Sequence, residues 1–108
     1  MSDIWTPPSA LVKPEHRDRK EIRPFQKLAL EAAKLGFSPG VHHDAAERTM
    51  QLRFLAVTDR AKAACRAAMD NPDADRLVVG VQYREGDNPL VALVACWEQG
   101  MNVLREAL

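Results

Sequence analysis

The segment that most constrains the fold is the last one, which begins at Pro89 and is apolar over most of a helical circumference. Its apolar residues recur at spacings of three and four, which is the period of one stripe on an α-helix. The stripe consists of Leu90, Leu93, Val94, Trp97, Met101, Leu104 and Leu108, widened by Val91, Cys96 and Val103. A helix of this kind lies at the centre of a domain or at a subunit interface. In a chain of 108 residues we expect a central helix from Pro89 to about Ala107.

A shorter amphipathic helix is predicted over Pro24–Leu35. Its apolar stripe consists of Phe25, Leu28, Ala32 and Leu35. Gly36 then fits the left-handed position that commonly follows a helix end. The sequence "GFSPG", residues 36–40, is predicted to be a loop.

No glycine or proline interrupts the chain between Asp44 and Pro72. Asp44 is a good helix N-cap, and Glu47 three residues later completes a capping box. An apolar stripe with spacings of four and three follows, made of Met50, Phe54, Val57, Ala61, Ala64 and Ala68. This pattern predicts one long helix of about 26 residues.

The same stretch also supports a different interpretation. Residues 50–54 alternate between apolar and polar side chains, which is typical of a half-buried strand, and Thr58 would cap a helix beginning at Asp59. Residues 77–83, "LVVGVQY", are rich enough in valine to form another strand. The alternative fold is therefore α/β with a short β-α-β unit, whose strands lie near 49–57 and 77–83.

A repeated Asn-Pro pair favours the helical interpretation. Asn71–Pro72 and Asn88–Pro89 each combine a good N-cap with a residue favoured at the first helical position, so each predicts the start of a helix. We therefore expect a mostly α fold, a small bundle of about four helices. Residues 23–108 would form this single helical domain, and residues 1–22 an extended arm.

The arm carries prolines and large apolar side chains ahead of the predicted domain. Pro7, Pro8 and Pro14 favour extended backbone, and residues 15–21 contain no apolar side chain to bury. Extended segments of this kind lose little entropy when they dock in a groove. We expect the arm to bind a protein partner or a second copy of the chain through Ile4, Trp5, Pro7, Pro8, Leu11 and Val12, with apolar helix faces as a further contact. The alternative is that Trp5 packs against the helices of its own chain, or that the segment is a frayed terminus.

Basic residues suggest nucleic acid as a second, less favoured partner. The chain has 15 basic and 15 acidic residues, so no global field attracts phosphate. A local basic stretch, interleaved with acidic residues, comprises Lys13, Arg17, Arg19, Lys20, Arg23 and Lys27. Under this hypothesis the second contact surface is an arginine-rich helix over residues 48–66.

No pattern in the sequence indicates catalysis, a cofactor or a metal ion. "GFSPG" has the spacing of a hydrolase nucleophile elbow, but Pro39 has no N–H to donate to an oxyanion. His42 and His43 are adjacent and lack further ligands at metal-binding spacing. We therefore expect no enzyme activity, no catalytic or metal-binding residue, no cofactor and no small-molecule substrate.

The sequence gives two indications of location. The longest apolar run, residues 90–97, is eight residues long and far too short to cross a bilayer, so no membrane association is expected. Cys65 and Cys96 lack the spacing of a metal or redox motif. We expect buried, reduced thiols in a protein of the cytoplasm.

The opening stretch "MSDIWTPPSALV", followed by a small charged domain, resembles small accessory proteins of tailed bacteriophages. Such proteins include virion assembly and decoration proteins, which grip neighbours through extended termini, and small inhibitors of host defence. The resemblance implies a structural or accessory protein that acts by protein–protein contact. Its place would be an assembled virion or the host cytoplasm, where an inhibitor would bind a host protein complex. The resemblance carries over no functional residues.

Overall fold

The computed structural model describes residues 5–12, 20 and 23–107 of the chain. A 3₁₀ turn at Pro8–Ala10 precedes the regular elements, which are α1 (Arg23–Leu35), β1 (Phe37–Asp44), β2 (Thr49–Ala56), α2 (Asp59–Met69), β3 (Arg76–Gln82) and α3 (Pro89–Ala107). The strands form an antiparallel sheet in the order β1-β2-β3. All three helices share one buried cluster with the same face of the sheet, so the fold is a two-layer α/β domain.

The prediction of a mostly α bundle of about four helices is wrong, because the described chain contains three α-helices and a three-stranded sheet. The long helix predicted from Asp44 onward is instead the hairpin β1–β2 followed by α2. Met50, Leu52 and Phe54 are fully buried, while the residues between them are half-buried. The alternation with a period of two therefore prevails over the helical spacing.

The capping signal at Asp44 is real but stabilises a turn. The N–H of Glu47 donates to Asp44 Oδ1 at 3.1 Å, as it would in a capping box. Arg48 then adopts the left-handed conformation, with φ of 54°, and the chain reverses into β2. A cap bond alone therefore does not distinguish a helix from a tight turn.

The alternative α/β prediction located β2 and β3 correctly, and it also placed the start of α2. The N–H of Ala61 donates to Thr58 Oγ1 at 3.1 Å, so Thr58 caps α2 as expected. Its β-α-β arrangement is wrong in one respect, since β2 and β3 are antiparallel neighbours and not parallel strands.

The third strand, β1, comes from the predicted loop "GFSPG" and the residues after it. Gly36 does follow α1 with φ of 94°, as expected, but the strand begins at the next residue. Val41 exchanges main-chain hydrogen bonds with Thr6 on the outer side of β1. Pro39, two residues earlier, also turns its nitrogen outward, so this proline removes no hydrogen bond from the β1–β2 ladder.

The two Asn-Pro pairs have different outcomes. Asn88 Oδ1 accepts a hydrogen bond from the N–H of Leu90 at 3.0 Å, and α3 covers the predicted residues. Asn71 Oδ1 accepts from the N–H of Asp73 at 2.9 Å, but this turn leads into β3. The helix predicted after Pro72 is wrong because the valine-rich segment that follows pairs with β2.

Helix α3 lies at the centre of the helical layer, where it packs on β2 and β3 between α1 and α2. Trp97 is fully buried, and its indole meets Phe25 and Phe54 edge-on at centroid distances of 4.9 and 5.9 Å. Gly100 faces the same Phe54 ring, since a Cβ at this position would lie 2.1 Å from Phe54 Cε2. The glycine therefore allows the helix axis to approach the sheet closely.

We expect Gly100→Ala to lower the free energy of unfolding by about 1–3 kcal/mol, because the added methyl group overpacks the Phe54 contact. This loss would outweigh the higher helix propensity of alanine. Urea unfolding followed by circular dichroism measures the change. Gln99→Ala, at an exposed position of the same helix, is the control and should change stability by less than about 0.5 kcal/mol. Equal effects of the two variants would contradict the close approach.

An ion pair connects α1 to α3. Arg105 Nε and Nη2 donate to the two carboxylate oxygens of Glu31 at 2.6 and 2.9 Å. These hydrogen bonds, together with the charge of Arg105, lower the pKa of the Glu31 carboxyl from its ordinary value of 4.5. Both side chains remain partly exposed, so we expect a stabilisation of only about 0.5 kcal/mol.

This ion pair gives stability a specific pH dependence. Because the pKa of Glu31 is lower in the folded than in the unfolded state, its stabilisation is complete above pH 4.5 and is lost as the pH falls through the lowered value. We expect Glu31→Gln to lose less stability than the unmodified chain over this acid range. Urea titrations at a series of pH values measure the slope of the free energy of unfolding against pH. Gln99→Ala, which removes no titratable group from the exposed side of α3, should keep the slope of the unmodified chain, and an unchanged slope in Glu31→Gln would refute the prediction.

Candidate interaction surface

The described part of the arm is attached to the outer edge of β1. The N–H of Thr6 donates to Val41 O at 2.8 Å, and the N–H of Val41 donates to Thr6 O at 2.7 Å. Thr6 Oγ1 donates to the same Val41 oxygen at 3.1 Å. After the 3₁₀ turn, Leu11 packs against the core and Val12 is buried within it. Residues 5–12 therefore lie on the domain of their own chain.

The residues predicted to bind a partner are in different environments. Leu11 and Val12 face the core, Pro7 is exposed and Pro8 is half-buried, while Ile4 lies outside the described residues. Trp5 is half-buried. Of this group, Trp5, Pro7 and Pro8 thus combine a described position with solvent access and no place in the core cluster.

We define the open face as the surface of the sheet opposite the helices. The strand register assigns to it Ser38, Gly40, His42 and Asp44 of β1, Thr49, Gln51, Arg53 and Leu55 of β2, and Arg76, Val78, Gly80 and Gln82 of β3. All helices that the structure describes pack on the other face. Val78 is consequently 43% exposed in the middle of a strand.

Trp5 lies on the open face, over β1 and β2. Its ring meets the His42 ring edge-on at a centroid distance of 6.2 Å. Arg53 Cζ lies 5.3 Å from the centroid of the indole, within the range of a cation–π contact. The indole is therefore positioned by an imidazole on one strand and a guanidinium on the next.

Gly40 is a position at which an added side chain would crowd this contact. A Cβ on Gly40 would lie 3.0 Å from Trp5 Cβ and 3.2 Å from Arg53 Nη2. Both distances are too short for ordinary side-chain contacts. Gly40 therefore permits the arm and the arginine to lie flat on the sheet.

The predicted basic surfaces do not form one continuous patch in the described residues. Lys13, Arg17 and Arg19 lie outside these residues, whereas Lys20, Arg23 and Lys27 are exposed. The predicted arginine-rich helix over 48–66 is wrong, because this stretch spans a turn, β2 and α2. Its basic residues are thereby distributed over different surfaces, with Arg53 on the open face and Arg60, Lys62 and Arg66 on α2.

A cleft of about 410 Å³ lies between the end of β3 and the start of α3, where it is lined by residues 81–84, 87–88, 91–92 and 95. This volume is in the range of small-ligand pockets. Its polar groups, however, bond to the chain itself. Tyr83 Oη lies 2.5 Å from His43 Nε2, and Asp87 Oδ2 accepts from the N–H of Arg84 at 3.2 Å. These bonds organise the wall of the cleft, and we assign no ligand to it.

The cysteines are free and buried, as expected. Burial raises the pKa of the Cys96 thiol to about 11, and Cys96 Sγ lies 3.6 Å from Met50 O. Burial also raises the pKa of Cys65. Neither thiol is therefore activated as a nucleophile. Among the described side chains, no three His, Cys, Asp or Glu residues are arranged to hold a metal ion.

Comparison with known proteins produced no match to a protein family, a curated protein or a solved structure. Of the helices in the described residues, none combines the length and the hydropathy that a membrane span needs. The function must therefore be argued from the geometry of the chain itself.

Trp5 was predicted from the sequence as a partner-binding residue, and this stays a prediction, whereas the residues around it were not singled out. His42 was expected at a solvated helix start, and Arg53 was expected either in a basic helix or, in the alternative fold, among the polar residues of a strand. The alternation of residues 50–54 was the available signal, because it places Arg53 on the polar side of a strand. Gly40 had no such signal, since its role depends on the register between β1 and β2.

We expect Gly40→Ala to displace the Trp5 ring from the open face, because the new Cβ occupies the space beside Trp5 Cβ and Arg53 Nη2. Acrylamide quenching of tryptophan fluorescence measures the effect. The accessible fraction should rise, while the emission of the fully buried Trp97 stays protected. Gly80→Ala, where a Cβ would meet its nearest atom at an ordinary 3.5 Å, is the matched control. Identical quenching in both variants would contradict the docked position of Trp5.

Proposed function

We propose that this chain is a non-enzymatic protein–protein interaction or assembly protein, and that the open face around Trp5 is its contact surface. The observation that carries the proposal is a half-buried tryptophan next to the Thr6–Val41 main-chain bonds, on a sheet face to which no described helix is packed. Val78, which is 43% exposed, adds an apolar side chain to the same face.

The chemistry around Trp5 supports this assignment. Tryptophan and arginine are the residue types most enriched among those that dominate binding energy at protein interfaces. The indole is already placed by Arg53, His42 and the Thr6–Val41 bridge. A preorganised anchor loses less conformational entropy when a partner binds.

The sheet is a better candidate than the helices for this contact. Most of the apolar stripe of α3 lies in the core, because Leu90, Leu93, Val94, Trp97, Met101 and Leu104 are buried. Val91, at 44% exposure, is a single apolar side chain on the outer side of the helix. The arm contributes by holding Trp5 in place, because residues 5–12 pack on their own domain. The partner therefore meets Trp5 on the sheet and does not need to detach the arm.

The resemblance of the opening stretch to bacteriophage accessory proteins supports a role in assembly. The corresponding location is a virion or the host cytoplasm. The same surface would also serve a small inhibitor that binds a host protein complex. Both functions depend on protein–protein contact through the open face, so one experiment tests both.

The test places a photo-crosslinking amino acid at Val78, on the open face, in the cells that produce the protein. Leu30 of α1, which is 57% exposed on the helical side, is the matched control position. We expect a discrete protein adduct from position 78 and none from position 30. Trp5→Ala should reduce the yield from position 78 several-fold while the circular dichroism spectrum stays unchanged.

Two outcomes would overturn the proposal. Equal adducts from positions 78 and 30 would show that no partner binds the open face in preference to the helical side. An adduct at position 78 that nuclease treatment removes would favour the nucleic-acid hypothesis, with Arg53 and Arg76 contacting phosphate.

A further inference from the structure

The two outer edges of the sheet differ in their protection. At β1, Pro39 presents no outward N–H and Thr6 pairs with Val41. At β3, residues 76–82 contain neither proline nor lysine, and no described strand pairs with their outer side. Exposed edges with unpaired main-chain groups are templates for pairing with another strand. Within the described residues, the fold therefore blocks the β1 edge and leaves the outer main-chain groups of Val78 and Gly80 unpaired.

The outward main-chain groups of β3 belong to its even-numbered residues. The N–H of Tyr83 donates to Arg48 O at 2.9 Å, and Asp75 O accepts from the N–H of Ala56 at 2.8 Å, so odd-numbered positions turn toward β2. Val78 and Gly80 then direct their N–H and C=O groups outward. Within the described residues, no hydrogen bond reaches these groups of Val78 or Gly80.

We propose that β3 pairs with β3 of a second copy of this chain, antiparallel, about a two-fold axis through Val79. The pairing joins the two sheets into one of six strands. It uses the edge of the sheet and not the open face, so it goes beyond the function proposed above and does not depend on it.

The positions of the residues along β3 determine how the two β3 strands align. An axis at Val79 aligns residues 76–82 with residues 82–76 of the second copy and keeps core-facing side chains opposite core-facing ones. Val78 then lies opposite Gly80 of the second copy, and each such pair exchanges both of its outward hydrogen bonds. An axis at Gly80 would instead set Arg76 opposite Arg84 of the second copy. An axis at Val78 would shorten the aligned segment.

Charge does not oppose the axis at Val79. Arg76 of each copy falls opposite Gln82 of the other, so no like charges face each other within residues 76–82. The edge is therefore complementary to itself in main-chain groups and in side-chain faces, without a charge conflict. A second copy of this chain is the occupant that these properties favour.

Disulfide crosslinking tests the axis directly. Residues opposite each other in a pair without hydrogen bonds have Cα atoms about 4.5 Å apart, which a disulfide can bridge. Val79→Cys should therefore give a covalent dimer on mild oxidation. Val78→Cys is the matched control, because the two copies of residue 78 are diagonal neighbours about 7–8 Å apart. The unmodified chain, with Cys65 and Cys96 buried, gives the background. Efficient crosslinking of Val78→Cys, or none of Val79→Cys, would overturn the proposal.

Light scattering provides the second measurement. The mass should rise with concentration from 12.0 kDa to twice that value, and Val78→Lys should hold it at 12.0 kDa, because lysines on both copies would repel across the axis. Ser38→Lys, on the open face of β1, should dimerise normally. Loss of the dimer in both variants would place the contact on the open face, and a monomer at millimolar concentration would exclude pairing. Either result would overturn the edge proposal.

Discussion

The packing of α3 against β2 is the contact on which the rest of the structure depends. Gly100 permits the helix to lie directly on Phe54, and Trp97 fills the space between the sheet and α1. Both remaining helices contact α3 more extensively than they contact any strand. The described helices therefore collect on one side of the sheet, and the packing that builds the core leaves the opposite face without any of them.

Two short stretches of the chain shape the open face and protect the edge of the sheet at β1. In "GFSPG", Gly36 ends α1, Pro39 presents its nitrogen to the outer edge, and Gly40 makes room for Trp5. The Thr6–Val41 bridge then secures the arm beside them. Residues that look like simple loop formers in the sequence thus determine how the first strand is protected and where the indole is displayed.

The sequence predicted the elements whose signals are local. Helices α1 and α3, and the cap of α2 in the alternative interpretation, were located from spacing and capping residues alone. Between β2 and a long helix the sequence was ambiguous, because Met50 and Phe54 fall on one face in both structures. Leu52 was the distinguishing residue, since a helix would turn it away from that stripe whereas a strand buries it. Strand β1 gave no local signal, because its proline and glycine are tolerated only once β2 is beside it.

The arm holds Trp5 on the open face of its own sheet, beside Gly40 and His42. Nuclear Overhauser spectroscopy of the monomeric chain tests this position most directly. We expect cross-peaks from the Trp5 indole to the Gly40 α-protons and the His42 ring, together with upfield shifts of those α-protons by the aromatic ring. A Trp5 indole at random-coil chemical shifts, with no cross-peak to β1, would contradict this position of Trp5.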